Sequence, residues 1–297
     1  MTNALEIRDL TKTFGRTVAL NKLNLDVQQG EVHGFLGPNG AGKTTTLRIL
    51  LGLLRPDSGT ATVHGGHPVR DAVELHKRIA YVPGDVELWP QLTGGEAIDV
   101  LTRLRGDSDP ARVAELCERF DLDRTKKGRT YSKGNRQKVA LVAALASGAD
   151  LFILDEPTSG LDPLMEAIFQ DEVRGLIARG ATVLLSSHIL GQVEALAHRV
   201  SIIREGSIVE TGTLDAMRHL RRTTIQATTA QPVNGLAHMT GVHHAQVDGD
   251  RVSMEVDGEH LGTVMSQLTG AGVQSIVAHP PTLEQMLLRH YGEETPR

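Results

Sequence analysis

The segment Gly37-Pro-Asn-Gly-Ala-Gly-Lys43-Thr44 has the residue types and spacing of a phosphate-binding loop, G-x-x-x-x-G-K-[ST]. Its glycines let backbone N–H groups approach phosphate oxygens, and the helix predicted to follow adds the positive end of its dipole. In this pattern the Lys43 ammonium bridges the β- and γ-phosphates and the Thr44 hydroxyl ligates Mg²⁺. The order of strand, loop, Lys-Thr and helix argues against a mere Gly-rich turn. The predicted nucleotide contacts here are Gly37, Pro38, Asn39, Gly40, Ala41, Gly42, Lys43, Thr44 and Thr45.

A second motif is the apolar run Leu151–Leu154 followed by Asp155, Glu156 and Pro157. It predicts a buried strand with two carboxylates at its C-terminal tip, where ligands gather in open α/β sheets. Asp155 is predicted to hold Mg²⁺ through water. Glu156 is placed to polarise an attacking water, as general base or as orienting acceptor. Two acids can also simply cap a strand, but a phosphate-binding loop in the same chain favours the catalytic interpretation.

Positioning these motifs requires an α/β domain, and residues 3 to about 212 alternate between β-branched runs and helical patterns. We expect a largely parallel central sheet, with the early strands forming an antiparallel edge. The predicted strands are Leu5–Leu10, Val18–Val27, Val32–Leu36, Thr60–Val63, Arg78–Val82, Leu151–Leu154, Thr182–Ser186 and Val200–Arg204. The predicted helices are Thr44–Leu54, Ala111–Phe120, Arg136–Ala146, Leu164–Arg179 and Ile189–Ala197.

From about Arg222 the pattern changes to that of a small α+β appendage, which predicts two domains, residues 1–221 and 222–297. Asp248-Gly249 between two alternating runs indicates a hairpin. The predicted elements are the strand Thr223–Thr229, the hairpin strands His243–Val247 and Arg251–Val256, the helix Glu259–Leu268, the strand Val273–Ala278 and a last helix Thr282–Tyr291.

Composition excludes several classes of protein. The longest apolar run, Val139–Ala146, is far shorter than the roughly 18 to 20 residues of a membrane span. No signal peptide is visible at the N-terminus, which favours the cytoplasm. A net charge of −5 with 3% aromatic residues disfavours nucleic acid as a partner. One cysteine, Cys117, excludes an intramolecular disulfide.

Over residues 3 to about 215 the sequence resembles the ATP-binding cassette (ABC) ATPases. Tyr131-Ser-Lys-Gly-Asn-Arg-Gln137 stands where that family carries its signature, and Ser159-Gly-Leu-Asp162 resembles its D-loop. The resemblance implies that Phe14 stacks on adenine and that His188 contacts the γ-phosphate, although Phe14 could instead fill core. The further nucleotide contacts that the resemblance implies are Ser132, Gly134, Asn135 and Asp162.

The sequence departs from the family pattern at two places. The signature has Lys133 and Asn135 where Gly and Gln are usual, while Ser132 and Gly134 are kept. Gly84 stands where the family usually has a Gln that touches Mg²⁺. Either Asp85 replaces it as a metal ligand, or water completes the metal shell; Pro83-Gly-Asp85 is also a good turn.

These features together resemble the ATP-binding subunits of ABC-2-type bacterial exporters of the daunorubicin-resistance kind. The fold implied is a P-loop cassette of class α/β with a parallel core sheet, an antiparallel edge sheet and a helical subdomain, plus the small C-terminal α+β domain. The implied catalytic residues are Lys43, Glu156 and His188.

The implied cofactors are ATP and Mg²⁺. The implied partners are a second cassette, with a homodimer sufficient, and a separate ABC-2-type permease, without nucleic acid. We therefore expect a peripheral protein on the cytoplasmic face of the membrane that drives export of a drug, an antibiotic or a lipid-like substrate. Trp89 lies where the family docks its membrane partner, although it could be core. The alternatives are the cassette of an importer, or a soluble ABC ATPase acting on nucleic acid or ribosomes.

Overall fold

The computed structural model describes residues 2–106, 109–214, 223–233 and 235–279. Three of its strands are completely buried: β3 (Val32–Leu36), β6 (Leu151–Asp155) and β7 (Thr182–Ser187). Strands covered on both faces are typical of a parallel sheet. They lie in a six-stranded sheet with β5 (Ile79–Val82), β8 (Arg199–Arg204) and β9 (Ser207–Thr213). The strand order is β5-β6-β7-β3-β8-β9, and β5, β6, β7, β3 and β8 pair in parallel.

The remaining strands are β1 (Asn3–Phe14), β2 (Thr17–Gln28), β4 (Ser58–Val63), β10 (Thr223–Thr229), β11 (Val242–Asp248), β12 (Arg251–Val256) and β13 (Val273–His279). The helices are α1 (Lys43–Leu50), α2 (Ala72–Arg78), α3 (Gly94–Arg105), α4 (Pro110–Arg119), α5 (Lys133–Leu145), α6 (Pro163–Ala178), α7 (Leu190–Glu194) and α8 (Leu261–Gly270). Short 3₁₀ turns occupy Gly128–Thr130, Leu236–His238 and Gly258–His260.

A three-stranded antiparallel sheet of order β2-β1-β4 forms the expected edge layer. Its inward side chains, among them Leu5 and Ile7 of β1, are fully buried and share one core with Leu47 of α1 and Phe35 of β3. This layer therefore packs directly on the helix that follows the phosphate loop.

Helices α3, α4 and α5 are inserted between β5 and β6 and form the helical subdomain. Thr93 and Glu96 make reciprocal hydrogen bonds at the start of α3, a capping box. Glu172 of α6, which is 4% exposed, forms ion pairs with Arg112 and Arg119 of α4. A buried carboxylate with two guanidinium partners ties this subdomain to the helix that follows the D-loop segment.

The chain forms two compact units, Met1–Gly212 and Thr213–Arg297. In the second unit β11-β12-β10-β13 form an antiparallel sheet, with α8 packed on the face that carries Ile225 and Met254. The predicted boundary between residues 221 and 222 lies outside the described residues and stays a prediction.

The predicted fold class is confirmed, including the parallel core sheet, the antiparallel edge sheet and the helical subdomain. Elements α2, α3 and β9 were not among those predicted, and two predicted helices differ in extent. Helix α1 ends at Leu50 rather than Leu54, because Gly52 at φ 71° leaves the helical region. Helix α7 covers only Leu190–Glu194.

The predicted last helix, Thr282–Tyr291, lies outside the described residues. None of the helices in the described part of the chain combines the length and the hydrophobicity that a membrane span requires.

Candidate functional site

Three neighbouring parallel strands end at one edge of the sheet, and the residues at these ends form the candidate site. The register pairs Leu36 of β3 with Ser187 of β7, and Asp155 of β6 with Ser186 of β7. Strand β7 therefore lies between the strand that enters the phosphate loop and the strand that carries the acids. Ligands gather at this end of a parallel sheet, so motifs far apart in sequence meet where a nucleotide is expected.

Lys43 supplies a buried cation inside the loop, with its side chain only 5% exposed. Its Nζ donates to the carbonyl oxygens of Gly37 (2.7 Å) and Pro38 (3.2 Å), and lies 3.4 Å from Oε1 of Glu156. Burial lowers the pKa of Lys43, while the Glu156 and Asp155 carboxylates act in the opposite direction. The loop thus holds a buried ammonium group between its own carbonyl oxygens and the Glu156 carboxylate.

Asp155 is held by a hydroxyl on each carboxylate oxygen. Thr44 Oγ1 donates to Oδ2 (2.9 Å) and Ser186 Oγ donates to Oδ1 (2.5 Å). Asp155 is 3% exposed, and these two donors offset the desolvation of its charge. The contact with Thr44 joins the two residues for which Mg²⁺ ligation is predicted.

Glu156 has an unusual backbone for a residue with a side chain, at φ 48°. Its N–H is bound by the Ser186 carbonyl at 3.1 Å, which stabilises this turn. Its Oε1 lies 3.1 Å from Nδ1 of His188 as well as 3.4 Å from Nζ of Lys43. The three predicted catalytic side chains therefore meet at one carboxylate oxygen.

Gly42 is required where it stands. Its φ is 110°, and a Cβ there would lie 2.7 Å from the Ala19 carbonyl oxygen and 2.8 Å from the Leu20 side chain. The loop backbone can close against β2 only without a side chain at this position. Lys43 and Thr44 follow directly, so this packing fixes where helix α1 begins.

The signature segment opens helix α5. Ser132 is its N-cap, and its Oγ accepts a hydrogen bond from the Asn135 N–H at 3.2 Å. A Cβ on Gly134 would lie 2.4 Å from the Gly160 carbonyl oxygen, so the two backbones approach closely. Ser132 is exposed, and it lies at a helix start, where backbone N–H groups can bind an anion.

Asp162 has a structural role of its own: it is the N-cap of α6, and its Oδ1 accepts from the Met165 N–H at 3.0 Å. This N-cap contact does not test the predicted contact of Asp162 with nucleotide, which stays a prediction.

Phe14 ends β1 with half of its surface exposed (50%). The core alternative for this residue is therefore wrong, and its stacking on adenine stays a prediction. The ammonium of Lys12 lies 5.5 Å from the ring centroid and also pairs with Asp57 at 2.7 Å. Asp57 in addition accepts from the Thr13 backbone N–H and hydroxyl. The hydrogen bond from Lys12, and after it those from Thr13, lower the pKa of Asp57 to about 2.

The segment after β5 carries the departures from the family pattern. A Cβ on Gly84 would lie 3.3 Å from the Asp155 carbonyl oxygen and 3.7 Å from its Cγ. A side chain at position 84 would therefore start beside the metal-binding carboxylate predicted from the sequence. Asp85 is exposed, and its role as a metal ligand stays a prediction. Trp89 is 47% exposed, which excludes a fully buried core position.

The structure thus brings together Lys43, Thr44, Asp155, Glu156 and His188 through direct contacts. The contacts of Ser132, Asn135 and Asp162 are instead local to their own helix starts.

Sequence reasoning missed two groups of residues that hold the site. Ser186 touches both acids, and Gln137 of α5 donates from Nε2 to the Pro157 carbonyl at 3.0 Å, joining the signature helix to the acidic turn. Ser187 Oγ bonds to Ile189 and to Gln192, which fixes the turn that carries His188. The available signal was polar residues inside otherwise apolar buried segments.

These residues fit MgATP. A loop in which Gly37 and Gly42 have no room for a Cβ, a buried ammonium and a helix N-terminus suit the phosphates. A hydroxyl 2.9 Å from a buried carboxylate gives the oxygen ligands that Mg²⁺ prefers, with room in its shell for water.

Comparison with known proteins gives a consistent result. The family model described as ABC transporter matches residues 20–159. A daunorubicin resistance ATP-binding protein of Streptomyces coeruleorubidus is 36% identical over 98% of this chain and 96% of its own length. A Nod factor export ATP-binding protein of Burkholderia lata is 32% identical over 98% of this chain and 97% of its own length.

Solved structures agree. The ATP-binding subunit of an ABC transporter superposes with a TM-score of 0.68 at 32% identity, covering 73% of this chain and 92% of that one. A dimeric bacterial ABC transporter cassette superposes with a TM-score of 0.64 at 25% identity, over 71% of this chain and 98% of that one.

Proposed function

The chain belongs to the ABC transporter family of ATPases, and from that premise we propose that it powers export through a separate membrane permease of ABC-2 type. Its relatives are named for daunorubicin resistance and for Nod factor export. Both names describe removal of a compound from a cell or resistance to it. They support export of a drug, antibiotic or lipid-like substrate by a peripheral subunit on the cytoplasmic face of the membrane.

The structural observation that carries the ATPase part of this proposal is the shared contact of Glu156 Oε1 with Lys43 and His188, while export is supported by the names of the relatives. This carboxylate lies beside the Lys43 ammonium and the His188 ring, the two groups that a γ-phosphate would use. With a nucleotide bound there, Glu156 would accept a proton from, or orient, the attacking water. When bound, Mg²⁺ would neutralise charge on the β- and γ-phosphates.

Residues of this chain would divide the remaining work. Thr44 would ligate the metal directly and Asp155 through water, as their 2.9 Å contact allows. Lys43 would bind the β- and γ-phosphates, and Phe14 would stack on adenine. Asp85 is a further metal ligand in this proposal, placed on the exposed turn beside Gly84.

A second copy of the chain would complete the site. Ser132, Gly134 and Asn135 face solvent wholly or in part, and each would serve the nucleotide held by the partner's loop, with Asp162 at the same interface. Contacts made only in the closed dimer let ATP favour closure while ADP does not. The dimeric cassette among the structural relatives supports this arrangement.

The permease would dock near Trp89. An adjoining cleft of about 270 Å³ is lined mainly by apolar residues, among them Val86, Leu101 and Trp89 itself, with Glu87 and Arg105 also in its wall. Leu104 of α3, 79% exposed, adds apolar surface on the helical subdomain. Tryptophan and leucine exposed in this way suit an apolar helix end of a membrane partner.

The test pairs Glu156→Gln with the surface variant Glu74→Gln, whose glutamate lies on α2 and pairs with Lys77. The chain is expressed with the membrane protein that co-purifies with it, in cells loaded with daunorubicin. We expect wild type and Glu74→Gln to lower cellular drug, and Glu156→Gln to leave it as high as in cells without the pair.

Purified Glu156→Gln should also elute as a dimer with ATP and as a monomer with ADP. Equal drug levels for Glu156→Gln and wild type, both below the empty control, would contradict ATP-driven export. Stimulated import by the wild type would support the importer alternative instead.

A further inference from the structure

Ser186 lies at the edge of the parallel sheet where β3, β6 and β7 end, here called the catalytic edge. It lies on β7, whose neighbours are β3 on one side and β6 on the other. Its register partner on β6 is Asp155, and its own exposure is 0%. A hydroxyl buried there needs partners, and the partners it has are both acids of the site.

The first partner is the Asp155 carboxylate. Ser186 Oγ donates to Oδ1 at 2.5 Å while Thr44 Oγ1 donates to Oδ2 at 2.9 Å. With one hydroxyl on each oxygen, the carboxylate plane is fixed about its bond to Cβ. Each oxygen keeps a further lone pair for water or metal.

The second partner is the Glu156 backbone. Its N–H lies 3.2 Å from Ser186 Oγ and 3.1 Å from the Ser186 carbonyl oxygen. Glu156 sits at φ 48°, a conformation that persists only when surrounding contacts hold it. A hydroxyl donates once and accepts through two lone pairs, so Ser186 can serve both acids together.

We propose that Ser186 is a positioning residue that aligns Asp155 for the metal and holds the turn that aims Glu156 at Lys43 and His188. The proposal rests on the metal role of Asp155 proposed above and adds the residue that orients it. Ser186 itself touches no reacting atom. Its loss should therefore alter how the site responds to Mg²⁺ rather than whether the loop binds phosphate.

The measured quantity is binding of a fluorescent ATP analogue, titrated with Mg²⁺ under conditions without turnover. For Ser186→Ala we expect the half-saturating Mg²⁺ concentration to rise roughly tenfold, the usual effect of losing one hydrogen bond to a charged group. Binding in EDTA should match wild type, because Lys43 and its loop are unchanged. In steady state kcat should fall while KM at saturating Mg²⁺ stays within about twofold.

Two further variants separate positioning from stability. Ser186→Thr keeps the hydroxyl and should restore the wild-type Mg²⁺ response. Ser201→Ala removes another fully buried serine hydroxyl, from β8 of the same sheet, where it contacts Nε2 of His33 at 2.9 Å. It should change the melting temperature without moving the Mg²⁺ titration. If Ser186→Ala fails to fold, Ser186→Cys keeps the size with a weaker donor and should shift the titration in the same direction.

The outcomes are distinguishable. A Mg²⁺ titration of Ser186→Ala that matches wild type, alongside an altered Asp155→Asn, would overturn the positioning role alone. An equal shift in Ser201→Ala would overturn it too, because the effect would then be one of general stability. Wild-type and Asp155→Asn proteins that respond alike to Mg²⁺ would overturn the proposed metal site together with the role built on it.

Discussion

The parallel sheet of the first unit and the antiparallel sheet of the second unit place their polar side chains in different ways. The parallel sheet buries both faces and exposes its chemistry at one edge, where Asp155, Glu156 and His188 follow the ends of β6 and β7. The antiparallel sheet of the second unit buries one face under α8 and spreads polar residues over the other. Across that face Gln226 pairs with Ser253, and Ser253 with Gln246.

The difference explains why the functional residues are concentrated at one edge of the parallel sheet. Parallel strands must all end in the same direction, so their terminal residues converge without being close in sequence. Antiparallel neighbours end at opposite edges, and their side chains stand in rows across a face. A groove of about 390 Å³ on that face is lined by neutral polar side chains, by apolar residues such as Val277, and by the opposite charges of Arg251 and Asp248. In the part of the chain described, this groove has no group of acids and cations comparable to the catalytic edge.

The largest effect is expected for Lys43→Ala. It removes the buried ammonium on which Glu156 and the loop carbonyls converge. ATPase activity should fall about 100-fold or more, as for loss of one preorganised electrostatic contact, and nucleotide affinity should fall with it. Steady-state ATPase assays and equilibrium binding measure the two effects. Normal affinity with this variant would mean that the loop backbone alone binds the phosphates.

Gly84→Gln tests the segment that follows β5, beside the Asp155 carboxylate. A Cβ at this position has only 3.3 Å to the Asp155 carbonyl oxygen, so β6 must yield slightly. We expect a change of about two- to fivefold in the Mg²⁺ concentration for half-maximal ATPase, equivalent to less than about 1 kcal/mol. The paired variant Asp85→Ala, on the same turn, shows whether the exposed acid contributes. Unchanged ATPase in Asp85→Ala, with and without the permease, would leave Asp85 as a turn residue.

Ile225→Val tests whether the second unit is separate in function. Ile225 is fully buried under α8, and the change should cost the second unit about 0.5 to 1.5 kcal/mol. ATP binding and basal ATPase should stay within experimental error of wild type. Hydrogen exchange resolved by segment checks that the loss is confined to residues 223–279. Lowered ATP affinity in this variant would show that the second unit supports the catalytic edge.

The smallest effect concerns the antiparallel layer that carries Phe14. The ionised Asp57 carboxylate binds Lys12 and Thr13, with its pKa lowered to about 2. These contacts of the ionised carboxylate therefore contribute to the stability of the fold above the usual aspartate pKa, and this contribution is lost as the pH falls through about 2. Wild type should melt slightly above Asp57→Asn at pH 7, with the gap closing between about pH 4 and pH 2. A gap that persists unchanged to pH 2 would contradict the ion pair.

Sequence alone determined the chemistry and the fold class. The loop from Gly37 to Thr44 and the pair Asp155-Glu156 carry their function in residue type and spacing, because phosphate and metal binding impose strict local requirements. The buried strands β3 and β6 were predicted to within a residue, since uninterrupted apolar runs of that length have few alternatives. The strand β10 was predicted with its observed bounds for a related reason: it is β-branched and is followed by a break.

Other features depend on tertiary contacts and could not be predicted from local sequence patterns. Helix α3 was missed because two glycines occupy its first turn, and a capping box together with packing against α5 stabilises it there. In the sequence, nothing distinguishes Ser186 from other strand residues. Its contact with Asp155 is visible only in the structure, where β7 lies beside β6 and the Ser186 hydroxyl donates to the Asp155 carboxylate. Which groups converge depends on strand order and register, and these are set by contacts between segments far apart in the chain.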